Sequence, residues 1–585
     1  MSLPRPESSS PVHPARSRRP IVHRPMRALP RVIELLPRHE RESRAEPVRR
    51  RRASSARPVQ SLPASLESSM PEQLPLPLEE VAPRPSVAGL PKNRRVYVNR
   101  NLSLAHIDWI GFDMDYTLAI YDQAAMDRLS IDVTAARLVQ RGYPEWITTI
   151  PYDTDFAIRG LLIDKKYGHV VKMDRYKAVG KAYRGFTQLP KDQIRAIYHS
   201  NKARAPTSRY HFIDTLYALS EAALYAGIID ACDKRGEKVD HAKLFADIRE
   251  AIDEAHRDGT VQAAITSDLS RYIKRDEVLG PTLHKLRSAG KKLFLLTNSR
   301  RPYTELVMTH LLGSASAEYP TWKHYFDVVV CASCKPAFFQ EHRPLMERVH
   351  EDREGSNMRP AQGLERMRVY EGGNLHDFER MLGVTGDRVL YVGDHIYGDI
   401  LRSKKESAWR TAMIIQEMDI EVAAYHECGD ALEELADLEE RRARLDDELR
   451  YHQAHFKEVQ RRLDSIALTA RTVRVEGSAA LSGGPPSARA ISDLEAERIR
   501  AKRAVERVRT MLREIEANAR ELEARIDRSF HQYWGSLLKE GTETSSFGDQ
   551  VEEYACLYTS RVSNMYYYSP LQTFRSPRDL MPHEL

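Results

Sequence analysis

Two aspartates separated by a single residue follow a short apolar run. Asp113 and Asp115 come directly after residues 107–112. Side chains alternate in extended backbone, so carboxylates at positions i and i+2 can face one pocket. The first carboxylate can attack phosphorus, and the second can protonate the departing ester oxygen and later activate water. The pair therefore predicts phosphoester chemistry with Asp113 and Asp115 as the catalytic groups.

Three further polar groups follow other apolar runs along the chain. They are Thr297, Asn298 and Ser299 after residues 292–296, Lys335 after residues 326–331, and Asp394 with Asp399 after residues 388–392. The hydroxyl and backbone donors of the first group and the ammonium of Lys335 suit phosphate oxygens. Because an attacking carboxylate and a phosphate dianion repel each other, a divalent cation is needed, and magnesium suits oxygen ligands.

The apolar runs alternate with helical patterns such as residues 281–288 and 303–312. This order predicts parallel βαβ units, in which reactive groups collect at the carboxyl ends of the strands. The stretch between residues 112 and 292 is far longer than an ordinary βα connection. The sequence therefore predicts an α/β, Rossmann-like core with a large inserted cap domain.

After about residue 430, apolar residues recur at spacings of three and four with Glu and Arg around them, which predicts a coiled-coil seam. The seam residues are Leu435, Leu438, Leu445, Leu449, Phe456, Val459, Leu463, Ile466, Leu494, Ala501, Val505, Val508, Leu512, Ile515, Ala519, Leu522 and Ile526. Glycines and prolines between residues 477 and 486 can turn the chain, so the pattern predicts an antiparallel helical hairpin. A spacer and an oligomerisation contact remain open as its role, and a homo-oligomer is predicted.

The first 94 residues are rich in Arg, Pro and Ser and contain very few aromatics. Such a segment cannot bury enough apolar surface to offset its ordering entropy, so it is predicted to be a disordered arm. The functional alternative is a nonspecific, salt-sensitive contact with nucleic acid or anionic lipid. The net charge of the whole chain is only +6, which does not indicate a dedicated nucleic-acid binder.

No secretory signal and no apolar stretch long enough to span a membrane is recognised in the sequence. Five cysteines, an odd number, suit a reducing compartment. The Cys331 and Cys334 pair has no second pair beside it, so structural cysteines are favoured over a metal or redox site. A cytoplasmic protein without a membrane anchor is expected.

The four polar groups, in order and each after an apolar strand, resemble the motifs of the haloacid dehalogenase superfamily of phosphotransferases. This resemblance implies Asp113 as nucleophile and Asp115 as general acid and base. It also implies magnesium bound by Asp113, the Asp115 backbone carbonyl and Asp394, with Asp399 beside them. An aspartate at the second position points to phosphatases and mutases, so hydrolysis is expected.

A narrower resemblance, to the cytosolic purine 5′-nucleotidase family, covers roughly residues 95–430 and returns from about residue 532. It is carried by Val98-Asn99-Arg100, Gly111 through Leu118, Lys335-Pro336-Ala337-Phe338-Phe339, Gly393 through Asp399, and Leu580-Met581-Pro582-His583-Glu584. The resemblance implies a preference for IMP and GMP and transfer of the phosphoryl group to water or to a nucleoside.

The same resemblance implies four base-binding residues in the cap, namely Phe186, Arg249, Asp253 and His256. Arg249 is expected to donate to the purine O6, Asp253 to orient it or accept ring N–H groups, and Phe186 to stack on the ring. The alternative for the helical trio is an ordinary solvated face with an ion pair four residues apart. Thr187 and Gln262 depart from the family pattern, which has an asparagine and, near the second position, a lysine.

The predicted organisation is a disordered arm (1–94), a first core part (95–125), a cap (126–278), a second core part (279–430), a coiled-coil hairpin (431–530) and a closing segment that packs on the core (531–585). The predicted function is hydrolysis of purine nucleoside 5′-monophosphates. Two alternatives stay open: a phosphatase of another phosphomonoester, and a catalytically idle scaffold that uses the arm and the hairpin.

Overall fold

The computed structural model describes residues 89–199, 207–313, 318–349, 357–476 and 487–577. The predicted arm up to residue 88, the turn of the hairpin and the closing motif at residues 580–584 lie outside the described residues. Residues 89–94 were also assigned to the arm, but Leu90 is buried and Lys92–Arg94 form a 3₁₀ turn. Arg95 Nε donates to the Leu90 carbonyl at 3.0 Å, so the packed part of the chain begins earlier than predicted.

The strands are numbered in chain order through the described residues. They are β1 (Tyr97–Val98), β2 (Leu102–Ser103), β3 (Trp109–Phe112), β4 (Ile120–Tyr121), β5 (Leu161–Asp164), β6 (His169–Met173), β7 (Val179–Arg184), β8 (Thr187–Gln188), β9 (Tyr210–Ile213), β10 (Ile273–Lys274), β11 (Lys292–Leu296), β12 (Val328–Cys331), β13 (Leu345–Arg348), β14 (Met358–Pro360), β15 (Val369–Gly372), β16 (Val389–Gly393), β17 (Arg410–Ile414), β18 (Lys539–Glu540), β19 (Glu543–Thr544), β20 (Leu557–Thr559) and β21 (Thr573–Phe574).

The α-helices are numbered in the same way. They are α1 (Gln123–Gln140), α2 (Lys191–Tyr198), α3 (Leu219–Arg235), α4 (His241–Arg257), α5 (Thr260–Ser267), α6 (Leu269–Tyr272), α7 (Leu279–Ser288), α8 (Arg301–Leu312), α9 (Ala337–Gln340), α10 (Leu375–Leu382), α11 (Arg402–Glu406), α12 (Met418–Glu427), α13 (Gly429–Glu476), α14 (Ala488–Phe530) and α15 (Ser546–Tyr554). A π-helix, Ile396–Leu401, runs directly into α11.

The largest sheet has the order β1-β20-β17-β16-β3-β11-β12-β15-β13-β14. From β20 to β15 every neighbouring pair is parallel, and the three pairs at the two edges are antiparallel. The four strands predicted to carry the polar groups lie side by side at the centre, as β16-β3-β11-β12. The predicted α/β, Rossmann-like fold class is confirmed.

The central strands are apolar on both faces, as parallel strands covered by helices on both sides require. Side chains alternate between two separate cores. Ile110 and Phe112 of β3 join one core with Leu293 and Leu295, whereas Trp109 joins the other core with Phe294 and Leu296 of β11. This double burial fixes the strand register and hence the positions of the strand ends.

Gly111 in β3 is required by close packing. A Cβ atom at this position would lie 2.0 Å from the ring of Phe294 on the neighbouring strand. Because Gly111 has no side chain, the Phe294 ring can pack against β3 close to Asp113.

A second, five-stranded sheet with the order β8-β7-β6-β5-β9 forms the inserted region, and all its neighbours are antiparallel. Helices α1, α3 and α4 contribute to the core beside it. The insertion leaves and rejoins the core through the antiparallel pair β4–β10, in which Tyr121 faces Ile273. Its entry and exit thus lie side by side, close to the nucleophile loop.

Helices α13 and α14 lie antiparallel. Ion pairs join Glu434 to Arg525 at 3.7 Å and Glu448 to Arg507 at 3.8 Å, and His455 Nε2 lies 3.1 Å from the Glu497 carboxyl group. Eight of the predicted seam residues are buried, namely Leu445, Val459, Ala501, Val505, Val508, Leu512, Leu522 and Ile526. Coiled-coil geometry itself stays a prediction.

The segment after α14 contacts both the cap and the core sheet. Lys172 in β6 is buried, and its ammonium donates to the carbonyls of Trp534, Ser536 and Lys539 at 2.5 to 2.9 Å. Farther along, β20 lies between β1 and β17 in the core sheet. In the part of the chain that the structure describes, no helix is both long and apolar enough to cross a membrane.

The packing at Gly111 gives a stability prediction. Gly111→Ala forces a methyl group into the Phe294 ring, and overpacking of this kind costs about 1 to 3 kcal/mol. We expect a lower midpoint of thermal unfolding, measured by circular dichroism on the full chain. Gly429→Ala is the matched control, because a Cβ there meets no atom within 4 Å. Equal midpoints for the two variants would contradict the packing argument.

Candidate active site

Asp113 and Asp115 lie on the loop that leaves β3. The Asp113 amide continues the ladder by donating to the Val392 carbonyl of β16 at 2.9 Å. The Met114 amide donates to Asp113 Oδ1 at 2.8 Å, and Tyr116 has a positive φ of 57°. The amides at positions 117–119 all point to the Met114 carbonyl. This tight turn gives the two carboxylates separate surroundings.

Asp115 accepts one hydrogen bond on each oxygen. Tyr121 OH donates to Oδ1 at 2.6 Å, and Ser299 Oγ donates to Oδ2 at 2.6 Å. Burial raises the pKa of Asp115, while these two donors pull it down, and the net shift is upward. An upward shift favours the protonated form of a carboxyl group, which is the form that a general acid needs.

Asp113 belongs to a cluster of three buried carboxylates. One oxygen each from Asp113, Asp394 and Asp399 lies within 4.8 Å of the others. Burial is the largest cause that raises the pKa of Asp113; Lys335 opposes it, Asp399 and Asp115 add to it, and the resulting pKa is about 7. Burial raises the pKa of Asp394 well above its usual value, and Asp399 and Asp113 add to the shift.

The cluster fits a divalent cation. Its ligands are all carboxylate oxygens, which suit magnesium, and their mutual repulsion is relieved by a positive charge between them. Asp115 is not in this cluster through its side chain, which is occupied by Tyr121 and Ser299. Asp399 closely approaches Gly393, where a Cβ would lie 2.6 Å from the Asp399 Cβ.

Lys335 is a cation buried within this cluster. Its Nζ lies 2.9 Å from Asp113 Oδ1 and 2.7 Å from Asp399 Oδ1, and it donates to Tyr391 OH at 2.8 Å. Burial alone lowers the pKa of Lys335, but Asp113 and Asp399 outweigh burial and raise it. The ammonium therefore stays charged beside the nucleophile.

The predicted phosphate-binding residues at positions 297–299 have different partners. The Asn298 side chain holds the Lys335 loop: Nδ2 donates to the Lys335 carbonyl at 2.9 Å, and Oδ1 accepts from the Lys335 amide at 2.6 Å. Thr297 Oγ1 accepts from the Ser299 amide at 3.1 Å. Asn298 thus positions Lys335 with its amide group.

The predicted base-binding helix is α4, and Arg249 on it is bound to two carboxylates. Its Nη1 donates to Glu221 of α3, which is buried, and its Nη2 donates to Asp253 Oδ1 at 3.4 Å. His256 lies edge-on to Tyr217 with ring centroids 5.6 Å apart, and Tyr217 lies 4.8 Å from Tyr116. An aromatic contact therefore connects this helix to the nucleophile loop.

Phe186 lies in an aromatic cluster at the edge of the cap. Its ring is 5.1 Å from Phe156 and 6.4 Å from Tyr533 of the closing segment. It also lies near Gly227 of α3, the helix that carries Glu221. Phe186 and Arg249 thus contact the same helix from different elements.

Sequence reasoning missed Tyr121, Tyr391, Glu221 and Arg159. Tyr391 had one usable signal, because its hydroxyl stands inside the apolar run predicted as a strand. Arg159, 1% exposed, donates from Nη1 to the Asp394 carbonyl at 2.8 Å. Tyr121 lies six positions from Asp115, beyond the predicted motif, whereas Glu221 and Arg159 lie 28 and 235 positions from their partners.

Comparison with known proteins identifies the family. The model of the 5′ nucleotidase family matches residues 96–585. The chain belongs to the 5′ nucleotidase family. This confirms the predicted family and the predicted enzyme class, a hydrolase of the 5′-nucleotidase type.

Three curated relatives are similar to this member of the 5′ nucleotidase family. A 5′-nucleotidase domain-containing protein of Dictyostelium discoideum is 28% identical over 84% of this chain and 74% of its own length. 5′-Nucleotidase domain-containing protein 2 is 33% identical in Rattus norvegicus and 32% in Homo sapiens, each over 58% of this chain. The matched region spans 62% of the rat protein and 66% of the human protein.

A solved structure described as a predicted phosphoglycolate phosphatase from Haemophilus somnus also matches this family member. The match is 13% identical and covers 53% of this chain and 85% of the other, with a TM-score of 0.22. At that score the likeness carries no argument, and the fold rests on the strand order itself.

The charge balance of the cluster gives a prediction. Lys335→Met leaves Asp113, Asp394 and Asp399 without the ammonium, and removing one partner of a buried ion pair costs about 3 to 5 kcal/mol. Without metal, we expect the midpoint of thermal unfolding of the variant to be lower than that of the wild-type chain. Added magnesium should raise the midpoint of the variant by more than it raises that of the wild type. The measurement is thermal unfolding of samples freed of calcium and magnesium and then titrated with magnesium chloride. An equal or smaller magnesium effect in the variant would contradict a cation site at this cluster.

Proposed function

We propose that this chain hydrolyses purine nucleoside 5′-monophosphates, preferring IMP and GMP, through a phosphorylated Asp113. The single observation that carries the proposal is that Asp113 and Asp115 have different hydrogen-bond and ion-pair partners. One carboxylate faces a cluster with Lys335, whereas the other is held by Tyr121 and Ser299 on a separate side of the loop.

In the first proposed step, an Asp113 oxygen forms a bond to phosphorus and the bond from phosphorus to the ribose O5′ breaks. Asp115 gives its proton to the leaving O5′, so that the nucleoside departs as an alcohol. Burial raises the pKa of Asp115, which favours its protonated form relative to an exposed aspartate. Lys335 lies beside Asp113 and can balance charge on the phosphoryl oxygens.

In the second proposed step, Asp115, now a carboxylate, takes a proton from water. The resulting nucleophile attacks phosphorus, the bond to Asp113 breaks, and inorganic phosphate leaves. Replacement of water by a nucleoside hydroxyl gives phosphotransfer by the same route. Tyr121 and Ser299 hold Asp115 in one orientation through both steps.

The metal proposed for this site is magnesium, held by Asp113, the Asp115 backbone carbonyl and Asp394, with Asp399 beside them. When bound, it screens the repulsion between carboxylate and phosphate and polarises a phosphoryl oxygen.

The proposed base preference rests on Arg249 and Phe186. The O6 atom of hypoxanthine and guanine accepts a hydrogen bond, whereas the amino group of adenine donates, so a guanidinium favours the oxopurines. Glu221 and Asp253 hold Arg249 but use only part of its five N–H groups. Phe186 would cover a purine face without reading its edge.

A second candidate is a phosphatase of another phosphomonoester. One observation favours it: Arg249 already has a buried carboxylate partner in Glu221, so its role can be purely structural. A cytoplasmic location and a homo-oligomer also stay predictions.

The nucleophile assignment predicts a large loss of turnover in Asp113→Asn. An amide is a poor nucleophile, so phosphate release from IMP should fall by several orders of magnitude while the fold is retained. Asp127→Asn is the matched control. That side chain is buried with a pKa of about 8, raised by burial, so it is mostly neutral at pH 7 and an amide replaces it closely. Comparable activity in both variants would reject the covalent route.

The base assignment predicts a selective effect of Arg249→Ala. Loss of a charge-assisted hydrogen bond costs about 1.5 to 3 kcal/mol, so kcat/KM for IMP should fall about tenfold to more than a hundredfold. Hydrolysis of an aryl phosphate without a base should change much less, and Phe186→Ala should weaken all purine substrates together. Arg257→Ala on the same helix is the control.

The outcome that rejects the base assignment is equal damage to IMP and aryl phosphate hydrolysis. A wild-type preference for AMP or a sugar phosphate would reject it as well. Such a result leaves the nucleophile assignment in place, because that assignment rests on different residues.

A further inference from the structure

Arg159 connects the inserted cap to the loop that carries Asp394. It stands just before β5, at the start of the cap sheet, and its guanidinium is fully enclosed. Its Nη1 donates to the backbone carbonyl of Asp394 at 2.8 Å. The partner of this buried cation is therefore the backbone of a residue whose side chain belongs to the carboxylate cluster.

Glu417, a residue of the core, is the second hydrogen-bond partner of Arg159. Arg159 Nε donates to Glu417 Oε1 at 2.7 Å, and Nη2 donates to Oε2 at 2.6 Å. Glu417 is the residue immediately before α12, which follows β17 in the core sheet, and its side chain makes no capping hydrogen bond to that helix. This bidentate pair fixes the plane of the guanidinium, and so fixes the direction in which Nη1 points.

A third contact comes from the closing segment. The ring of Phe547 in α15 lies 5.0 Å from the Arg159 guanidinium carbon. Gly160, the next residue, has a φ of +89°, and a Cβ there would lie 2.6 Å from Phe547 Cβ. The cap, the core and the closing segment therefore meet at one side chain behind Asp394.

The Asp394 loop is also held at its far end. The His395 amide donates to Asp399 Oδ2 at 3.3 Å, and His395 Nδ1 accepts from the amides of Tyr397 and Gly398 at 3.2 and 3.3 Å. These bonds lie within the loop. Arg159 comes from the cap and binds the loop from outside, through its hydrogen bond to the Asp394 backbone carbonyl.

We propose that Arg159 is a positioning residue for the metal site: with Glu417, it holds the Asp394 peptide so that the Asp394 carboxylate stays directed at Asp113 and Asp399. The inference rests on the proposed function for the identity of the metal. Groups that orient metal ligands typically change metal affinity tenfold to a hundredfold when they are removed. Lysine cannot replace arginine here, because an ammonium lacks the planar fork needed to bind Glu417 and the Asp394 carbonyl together.

The test is a calorimetric titration of the full-length chain with magnesium, without substrate. We expect Arg159→Lys to weaken magnesium binding about tenfold or more. Arg209→Lys is the matched control, because Arg209 makes a bidentate pair with Asp164 at 2.9 and 2.6 Å, both residues belonging to the cap and away from the cluster. That control should lose stability but retain wild-type magnesium affinity.

A second variant keeps the test decisive if Arg159→Lys does not fold. Glu417→Gln preserves the size of the side chain but removes the charge that orients the guanidinium, and it should weaken magnesium binding in the same direction. Wild-type magnesium affinity in folded Arg159→Lys or Glu417→Gln overturns the inference. Equal weakening by Arg209→Lys also overturns it, since the effect would then reflect stability alone.

The result also separates this inference from the proposed function. Wild-type protein that binds magnesium but releases no phosphate from any nucleotide rejects the proposed function and leaves the role of Arg159 to be decided by the variants. Wild-type protein that binds no magnesium overturns both.

Discussion

The repulsion among three buried carboxylates is the constraint around which the core is organised. Asp113, Asp394 and Asp399 come from two different strand ends, and burial disfavours their charged forms. Lys335 supplies one positive charge and contacts two of the three. The site is buried, and Coulomb energies are larger there than in water, so carboxylates that ionise in it repel one another strongly. A cation between the carboxylates would relieve that repulsion.

Holding such a cluster together requires rigid supports, and in the described residues they come from the core, the cap and the closing segment. Doubly buried parallel strands fix the positions where the carboxylates leave the sheet. Asn298 holds the loop of Lys335, and Arg159 holds the peptide of Asp394. Lys172, buried under three backbone carbonyls, attaches the closing segment to the cap that carries Arg159. The cap and the closing segment are therefore part of the support of the site.

The strand ends were predictable from sequence because a parallel sheet buried on both faces produces continuous apolar runs, and each polar motif begins where a run stops. All four runs became adjacent strands, and Leu445, Val508 and Ile526 of the predicted seam are buried. The supports were not predictable in the same way. Arg159 and Asp394 are 235 positions apart. Sequence alone does not distinguish a buried arginine such as Arg159 from an arginine on the surface of the cap. The packing of residues 89–94 was missed because the apolar stretch that contains Leu90 spans only residues 87–90 and is followed by Pro91 and a basic segment.

In the cap, the proposed purine contact depends on how Arg249 is held. Glu221 is buried on α3 and accepts a hydrogen bond from Arg249, and burial raises the pKa of Glu221 to about 7. A neutral carbonyl such as O6 does not displace a buried carboxylate from a guanidinium, because the ionic hydrogen bond is the stronger of the two. The purine would therefore use guanidinium N–H groups that Glu221 leaves free. In the proposed reading, Glu221 fixes the orientation of Arg249 before the nucleotide arrives, and a side chain ordered in advance loses less entropy on binding. Under the proposed base preference, discrimination at position 6 would depend on the orientation that Glu221 gives Arg249 as well as on Arg249 itself.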